Sequence, residues 1–275
     1  MRFFWRVALG SVDYAVEKGI AIITFTNPPK GFFTTSMVEQ ATKALAEAEN
    51  DDNVKVLIFT GGLPDVFIRH FSVEEIILMT EAVKDHRKRG LAEPRFARTA
   101  LRMFWENVDN FRKPTIAAIN GYCGGGGCEL ALACDIRLAA AGNYTIGQME
   151  ILVGILPGAG GTTRLARLVG VGKALEWVLR GRTFYPHEAA EEGLVHHLVD
   201  GNVLDKAKEI ATEFLNKPSA ALQAIKQVLR SSWGKTTADG VDEEGDLFAN
   251  LIACDDRALE MMKEYVANNH KLDKF

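Results

Sequence analysis

The chain has 275 residues, 47% of them apolar and 25% charged, with 36 acidic groups against 32 basic ones and a formal charge of −4. That composition is globular, and a chain this long buries roughly three quarters of its extended surface without disulfide or metal staples. The acidic balance argues against binding a phosphate backbone, no apolar run reaches the ~18–20 residues that span a bilayer, and disordered or disulfide-framework classes are excluded.

Residues 20–25 are β-branched and apolar and read as a strand, ended by the turn residues Asn27-Pro28-Pro29-Lys30-Gly31. Ser36 and Glu39 make a capping box for a helix whose apolar stripe is Met37, Ala41, Leu45 and Ala48. A second strand follows at 54–60, closed by Gly61-Gly62. Residues 74–112 read as irregular helix, with the charged stretch 84–89 as a solvated face. Further strands are expected at 115–119 and 134–141. This β-then-α rhythm predicts an α/β domain. After Gly170 the strands mostly give way to helices at 203–217, 220–230, 246–254 and 256–268. The predicted organisation is a core over 1–200 that carries the site and a helical region over 201–275.

The four cysteines form no C-x-x-C pair and have no nearby histidine in sequence, so they read as free thiols in a reducing compartment rather than as a metal site. The N-terminal segment 1–9 is basic and apolar but too short and broken for a secretory core, so the expected location is cytoplasmic.

Two segments carry chemistry. In the first, 120–135, a strand runs into Gly124-Gly125-Gly126-Gly127 and then into a helix with Glu129 in its first turn. Glycines allow close backbone approach, and a helix N-terminus offers unpaired amides and partial positive charge, so the segment reads as an oxyanion cradle or as a tight strand–helix turn. It lacks the acid of a dinucleotide site and the G-K-[ST] of a P-loop. In the second, 147–165, Glu150 lies among apolar neighbours, where desolvation raises its pKa toward neutrality; a hydrogen-bonded structural acid is the other reading. Two carboxylates beside one glycine cradle suit adding or removing water across a polarised bond.

The runs GYCGGGGCELALACDI and GQMEILVGILPGAGGTTRL resemble the crotonase (enoyl-CoA hydratase/isomerase) superfamily, with support from Lys113–Gly121 before them and Ala189–Val195 after. The resemblance implies a spiral of ββα turns with a C-terminal all-helical oligomerisation region, giving a homotrimer or hexamer. It implies an acyl-CoA thioester as substrate, with coenzyme A entering as part of that substrate and no separate cofactor, metal, nucleic acid or membrane. Glu129 and Glu150 match the two catalytic glutamates, assigned here to the water and to the α-proton respectively. The backbone N–H groups of Phe71 and Gly126 match the oxyanion hole. His70, Gly125, Pro157 and Gly158 fall at substrate-binding positions.

The chain departs from the family where a small A-G-x-D is usual: here Arg69-His70-Phe71-Ser72 stands instead. His70 is thus either an extra acid or base or a wall of the acyl pocket. The expected activity is hydration of a 2-enoyl-CoA. The alternatives are double-bond isomerisation and C–C or thioester hydrolysis, with RNA binding set aside because no basic helix stands out.

Overall fold

Residues 10–91 and 99–271 are described by the computed structural model. The segment 1–9, on which the cytoplasmic reading partly rests, and part of the expected 74–112 helix lie outside the described residues.

The first hairpin sets the frame. Strand β1 (Ser11–Glu17) pairs antiparallel with β2 (Ile20–Thr26) through a two-residue turn. Both turn residues have positive φ, 49° at Lys18 and 84° at Gly19, which matches the right-handed strand twist. Helix α1 (Thr35–Asn50) then starts one residue before the expected Ser36. The capping oxygen is that of Thr34, which accepts from the Met37 amide at 3.3 Å, while the Ser36 hydroxyl accepts from Gln40. Thr34 is the residue in extended conformation, so the orphan amides fall to it.

The chain continues through β3 (Val56–Gly61), β4 (Asp65–Ile68), α2 (Val73–Lys88), α3 (Ala100–Asp109), β5 (Thr115–Ile119), β6 (Gly121–Gly124), α4 (Gly126–Ala133), β7 (Ile136–Ala140) and β8 (Ile146–Gly147). Then come α5 (Gly161–Val169), α6 (Val171–Arg180), β9 (Thr183–Phe184), α7 (Pro186–Glu191) and β10 (His197–Val199). Helices α8 (Val203–Leu215), α9 (Ser219–Ser231), α10 (Thr237–Cys254) and α11 (Asp256–Ala267) end the fold. The α/β expectation holds, with two short strands where none was read after Gly170.

One sheet has the order β1-β2-β3-β5-β7-β10 and is parallel apart from the first pair; the other has the order β4-β6-β8-β9. The central strands β2, β3 and β5 of the larger sheet are largely apolar on both faces because both faces are covered there. Ala21, Ile23, Leu57, Phe59, Ala117 and Ile119 pack with α1 and α4. The alternate residues Ile20, Ile22, Val56, Ile58, Ile116 and Ala118 pack with Val203, Ala207 and Ala211 of α8. The first helix beyond residue 200 therefore closes the core of the sheet, and the helices that leave the sheet begin with α9.

Helix α9 is tied back by charge. Asp135 meets Lys226 Nζ at 2.7 Å and Arg230 Nη2 at 2.7 Å. Burial alone would raise the Asp135 carboxyl, but the two cations outweigh it and hold it below the usual carboxylate range. Trp177 is buried against Phe184, whereas Trp233 is 55% exposed, its ring under the Arg167 guanidinium.

Candidate active site

The smaller sheet brings the two sequence motifs together. Strands β4 and β6 lie side by side in parallel, so the turn after β4 faces the glycine run after β6. In that turn Phe33 N–H donates to His70 O at 2.8 Å and Ser72 N–H donates to Phe33 O at 2.8 Å. This bridge uses the groups that flank Phe71 and turns the Phe71 N–H the other way, toward α4. Ser72 then caps α2 by accepting from the Glu75 amide.

Across from it, Gly125 occupies φ +48°, ψ −122°, a conformation reserved for glycine, and starts α4 so that the Gly126 amide heads the helix. A Cβ placed on Gly126 would stand 3.6 Å from Phe71 N and 3.4 Å from Phe71 Cβ. Glycine thus keeps open the space between the two amides. Among the described residues, neither amide has a protein acceptor. The ring of Trp105 closes the site behind and donates from Nε1 to Gly126 O at 3.1 Å.

Both glutamates reach the same cavity, which has a volume of about 850 Å³. Glu129, in the first turn of α4, is 4% exposed. Its Oε1 accepts from the amides of Ala159 and Gly161, each at 2.8 Å. Burial raises its carboxyl, and those two amides and Arg164 pull it part of the way back. Glu150 opens a 3-10 turn, Glu150–Val153, and burial, helped by the charge of Glu129, pushes it up to about 7. The two environments are different: one carboxylate is held by main-chain donors, the other is poised to exchange a proton near neutrality.

Gln148 is 2% exposed, and its side-chain amide lies 2.8 and 3.1 Å from the two Glu150 oxygens when its nitrogen faces them. Gln148 stands two residues before the acid, and the turn at Met149 (φ −114°, ψ 8°) is what brings the two side chains together, a placement the residue pattern does not show. Ala159 and Gly161, which orient Glu129 through their amides, also escape a side-chain reading.

The remaining expected positions divide. His70, Phe71, Gly126 and Gly158 line the cavity. The Gly125 Cβ position would be 3.4 Å from both Glu150 Oε1 and His70 Cβ, so this residue backs the wall. Pro157 is buried and does not face the cavity. The His70 ring packs at a tilt of 32° against Phe32, with ring centroids 4.5 Å apart, and its Nδ1 lies 2.7 Å from Phe71 O. A carbonyl partner requires Nδ1 to carry the proton, which leaves Nε2 as the nitrogen available to a ligand. Cys123, Cys128 and Cys134 are buried free thiols, and among the described residues no group of acids, histidines and cysteines is arranged to hold a metal.

Residues 15–271 match the enoyl-CoA hydratase/isomerase family. The chain is 36% identical over 247 residues to enoyl-CoA hydratase domain-containing protein 2, mitochondrial, of Bos taurus, covering 88% of this chain and 80% of that protein. It is 31% identical over 252 residues to the short-chain-enoyl-CoA hydratase of Clostridium acetobutylicum, covering 90% and 92%. The crystal structure of an enoyl-CoA hydratase from Bacillus anthracis superposes with a TM-score of 0.80 at 30% identity, covering 93% of this chain and 96% of that one. The chain belongs to the enoyl-CoA hydratase/isomerase family. It is an enzyme with the crotonase fold.

Proposed function

We propose that the chain hydrates 2-enoyl-CoA thioesters. The observation that carries this reading is a pair of buried glutamates with raised pKa in one cavity with two unpartnered amides. The amides of Phe71 and Gly126 hold the thioester oxygen and stabilise the enolate, so the reaction takes no cofactor beyond the coenzyme A of the substrate. Glu129, oriented by its main-chain donors, takes a proton from the attacking water. Glu150 delivers a proton to the α-carbon, and Gln148 orients it. The names of the relatives support hydration over the other chemistries of the family. A panel of enoyl-CoA thioesters, followed by loss of the conjugated enoyl absorbance, tests the reading; no loss with any chain would contradict it.

The pH dependence has a definite sign. Glu150 must hold its proton to hydrate, so kcat/KM for hydration should fall as pH rises through about 7. Dehydration uses the same singly protonated pair with donor and acceptor exchanged, so its kcat/KM should follow the same limb. The apparent value belongs to the coupled pair. Initial rates across pH check this, and a hydration rate that does not change through about pH 7 would remove Glu150 from the proton transfer.

His70 favours a second reading, hydrolysis, because its Nε2 is available in a cavity that holds the thioester. Free coenzyme A as the product would establish it.

The assembly belongs to the proposal too. Helices α9, α10 and α11 contain no buried residue, and Leu229, Phe248 and Val266 are 66%, 63% and 59% exposed. Exposed apolar surface on this scale seeks a partner, and a second and third copy of the chain fit the family fold. Light scattering should give a trimer or hexamer for the full chain, and monomers or aggregates after deletion of 241–275. A soluble, active monomer from the deletion would refute the role of these helices. The cytoplasmic placement is kept as part of the proposal on the strength of the buried free thiols Cys123, Cys128 and Cys134.

A further inference from the structure

The turn before α5 touches both glutamates. Ala159 in that turn is gripped at both of its main-chain groups: its N–H donates to Glu129 Oε1 at 2.8 Å, and its carbonyl accepts from Arg164 Nη1 at 2.6 Å. Two residues on, the Gly161 amide donates to the same Glu129 oxygen at 2.8 Å. Gly160, which opens α5, brings no side-chain cap, so the Glu129 carboxylate takes that place. Gly161 also lies against the end of the Gln148 side chain, which a Cβ at Gly161 would approach to 2.7 Å, and Gln148 reaches Glu150. The shape of this one turn therefore sets where Glu129 points and bounds the side chain that contacts Glu150.

A relay of alternating charge holds the turn. The Arg164 side chain is 12% exposed, and a guanidinium this far out of water needs a matched charge and filled donors. It finds both in Asp109, the last residue of α3: Nε lies 3.0 and 2.9 Å from the two carboxylate oxygens, and Nη2 meets Oδ2. That two-pronged contact fixes the plane of the guanidinium, with Nη1 on Ala159 O. Asp109 is held in turn from α9, by Arg230 Nη1 at 3.2 Å, while Arg230 Nη2 is anchored on Asp135 at 2.7 Å. The relay thus runs from the first helix that leaves the sheet to the residue whose amide orients Glu129. Arg164 also acts on Glu129 through space, pulling its carboxyl down against the effect of burial.

We propose that Arg164 is a positioning residue for the reaction: backed by Asp109 and Arg230, it holds the Ala159 turn in the shape that aims Glu129, and so it rests on the role given to Glu129 in the hydratase reading above. Arg164→Gln removes the charge and the fork, and Arg164→Lys keeps the charge without the fork. Both should lower kcat for an enoyl-CoA by about tenfold to a hundredfold, the scale of a misplaced reacting group, and leave KM nearly unchanged. Asp109→Asn loosens Arg164 without removing it and should lower kcat by less. In a Glu129→Gln background Arg164→Gln should cost little more, because the group it aims is gone. The charged neighbours of Glu129 are Arg164 and Glu150, and Arg164 is the one that lowers its carboxyl. The Glu129 titration should therefore move to higher pH in Arg164→Gln and stay close to its place in Arg164→Lys. Carbon NMR of protein labelled at the glutamate carboxyls reads this without turnover, with the Glu129 signal assigned by its loss in Glu129→Gln.

An unchanged kcat in Arg164→Gln overturns the proposal, and so does a loss confined to KM. A loss of the same size in the Glu129→Gln background also overturns it, because Arg164 would then serve the fold and not Glu129. If Arg164→Gln does not fold, Arg164→Lys and Asp109→Asn carry the same comparison, with thermal unfolding followed beside each, and full kcat in both overturns it. If the unaltered enzyme hydrates no enoyl-CoA, the hydratase reading is what has failed. The carboxyl titration then still decides whether Arg164 governs Glu129, and a Glu129 signal that titrates alike with and without the guanidinium overturns the proposal.

Discussion

Glu150→Gln should slow hydration by roughly 10²–10⁴-fold, because it keeps the shape of the side chain and its contact with Gln148 but removes the exchangeable proton. Glu129→Gln should cost a comparable factor for a different reason. Its Oε1 accepts from two amides, so an amide side chain in its place can satisfy them with its own oxygen, but its remaining group is a donor that cannot take a proton from water. The double variant should lose little more than either single one, since the pair acts as a unit. The check is kcat on one short enoyl-CoA for all four proteins, with thermal unfolding run in parallel. Near-normal turnover in either single variant would contradict the two-glutamate mechanism.

Phe71→Pro should be almost as damaging. It deletes the N–H aimed between the two segments, and one oxyanion donor is worth on the order of 10²–10³ in rate. Phe71→Ala keeps the amide and should retain most of the activity, shifting preference toward bulkier acyl groups as the ring leaves the cavity wall. The flanking bridge to Phe33 runs through the His70 carbonyl and the Ser72 amide, so neither substitution removes its hydrogen bonds. Comparable losses in both variants would move the role from the backbone to the Phe71 side chain.

The site was legible in sequence to the extent that its chemistry is carried by residue type. A run of glycines entering a helix, with an acid in the first turn, has few physical meanings, and a second acid among apolar residues narrows them. The backbone donors were harder to read, because Phe71 is identified by the turn it occupies and not by its side chain. Only the second strand of the β1–β2 hairpin stands out in the residue pattern: Lys18-Gly19 is a two-residue turn, but Lys18 is an uncommon residue at positive φ. The start of α10 was placed too late because Gly240 and Gly245 look like breaks, yet both sit inside the helix Thr237–Cys254, where tertiary context overrides propensity. The charged run at 84–89 read as a solvated face. It is one, but the period of α2 also turns Lys84 and Arg87 toward the cavity, a placement that depends on which face of the helix the fold covers.

The central claim is that this cavity adds one water across the double bond of a thioester that stays intact. Incubating crotonyl-CoA with the enzyme in isotopically heavy-oxygen water, and weighing the product by mass spectrometry, tests it most directly. The account predicts a 3-hydroxyacyl-CoA that carries one heavy oxygen on C3 and is still joined to coenzyme A, with the yield abolished in the Glu129→Gln/Glu150→Gln variant. Free coenzyme A with heavy oxygen in a released acid would contradict it in favour of hydrolysis through His70, and a longer-chain substrate returned with its double bond moved and its mass unchanged would contradict it in favour of isomerisation.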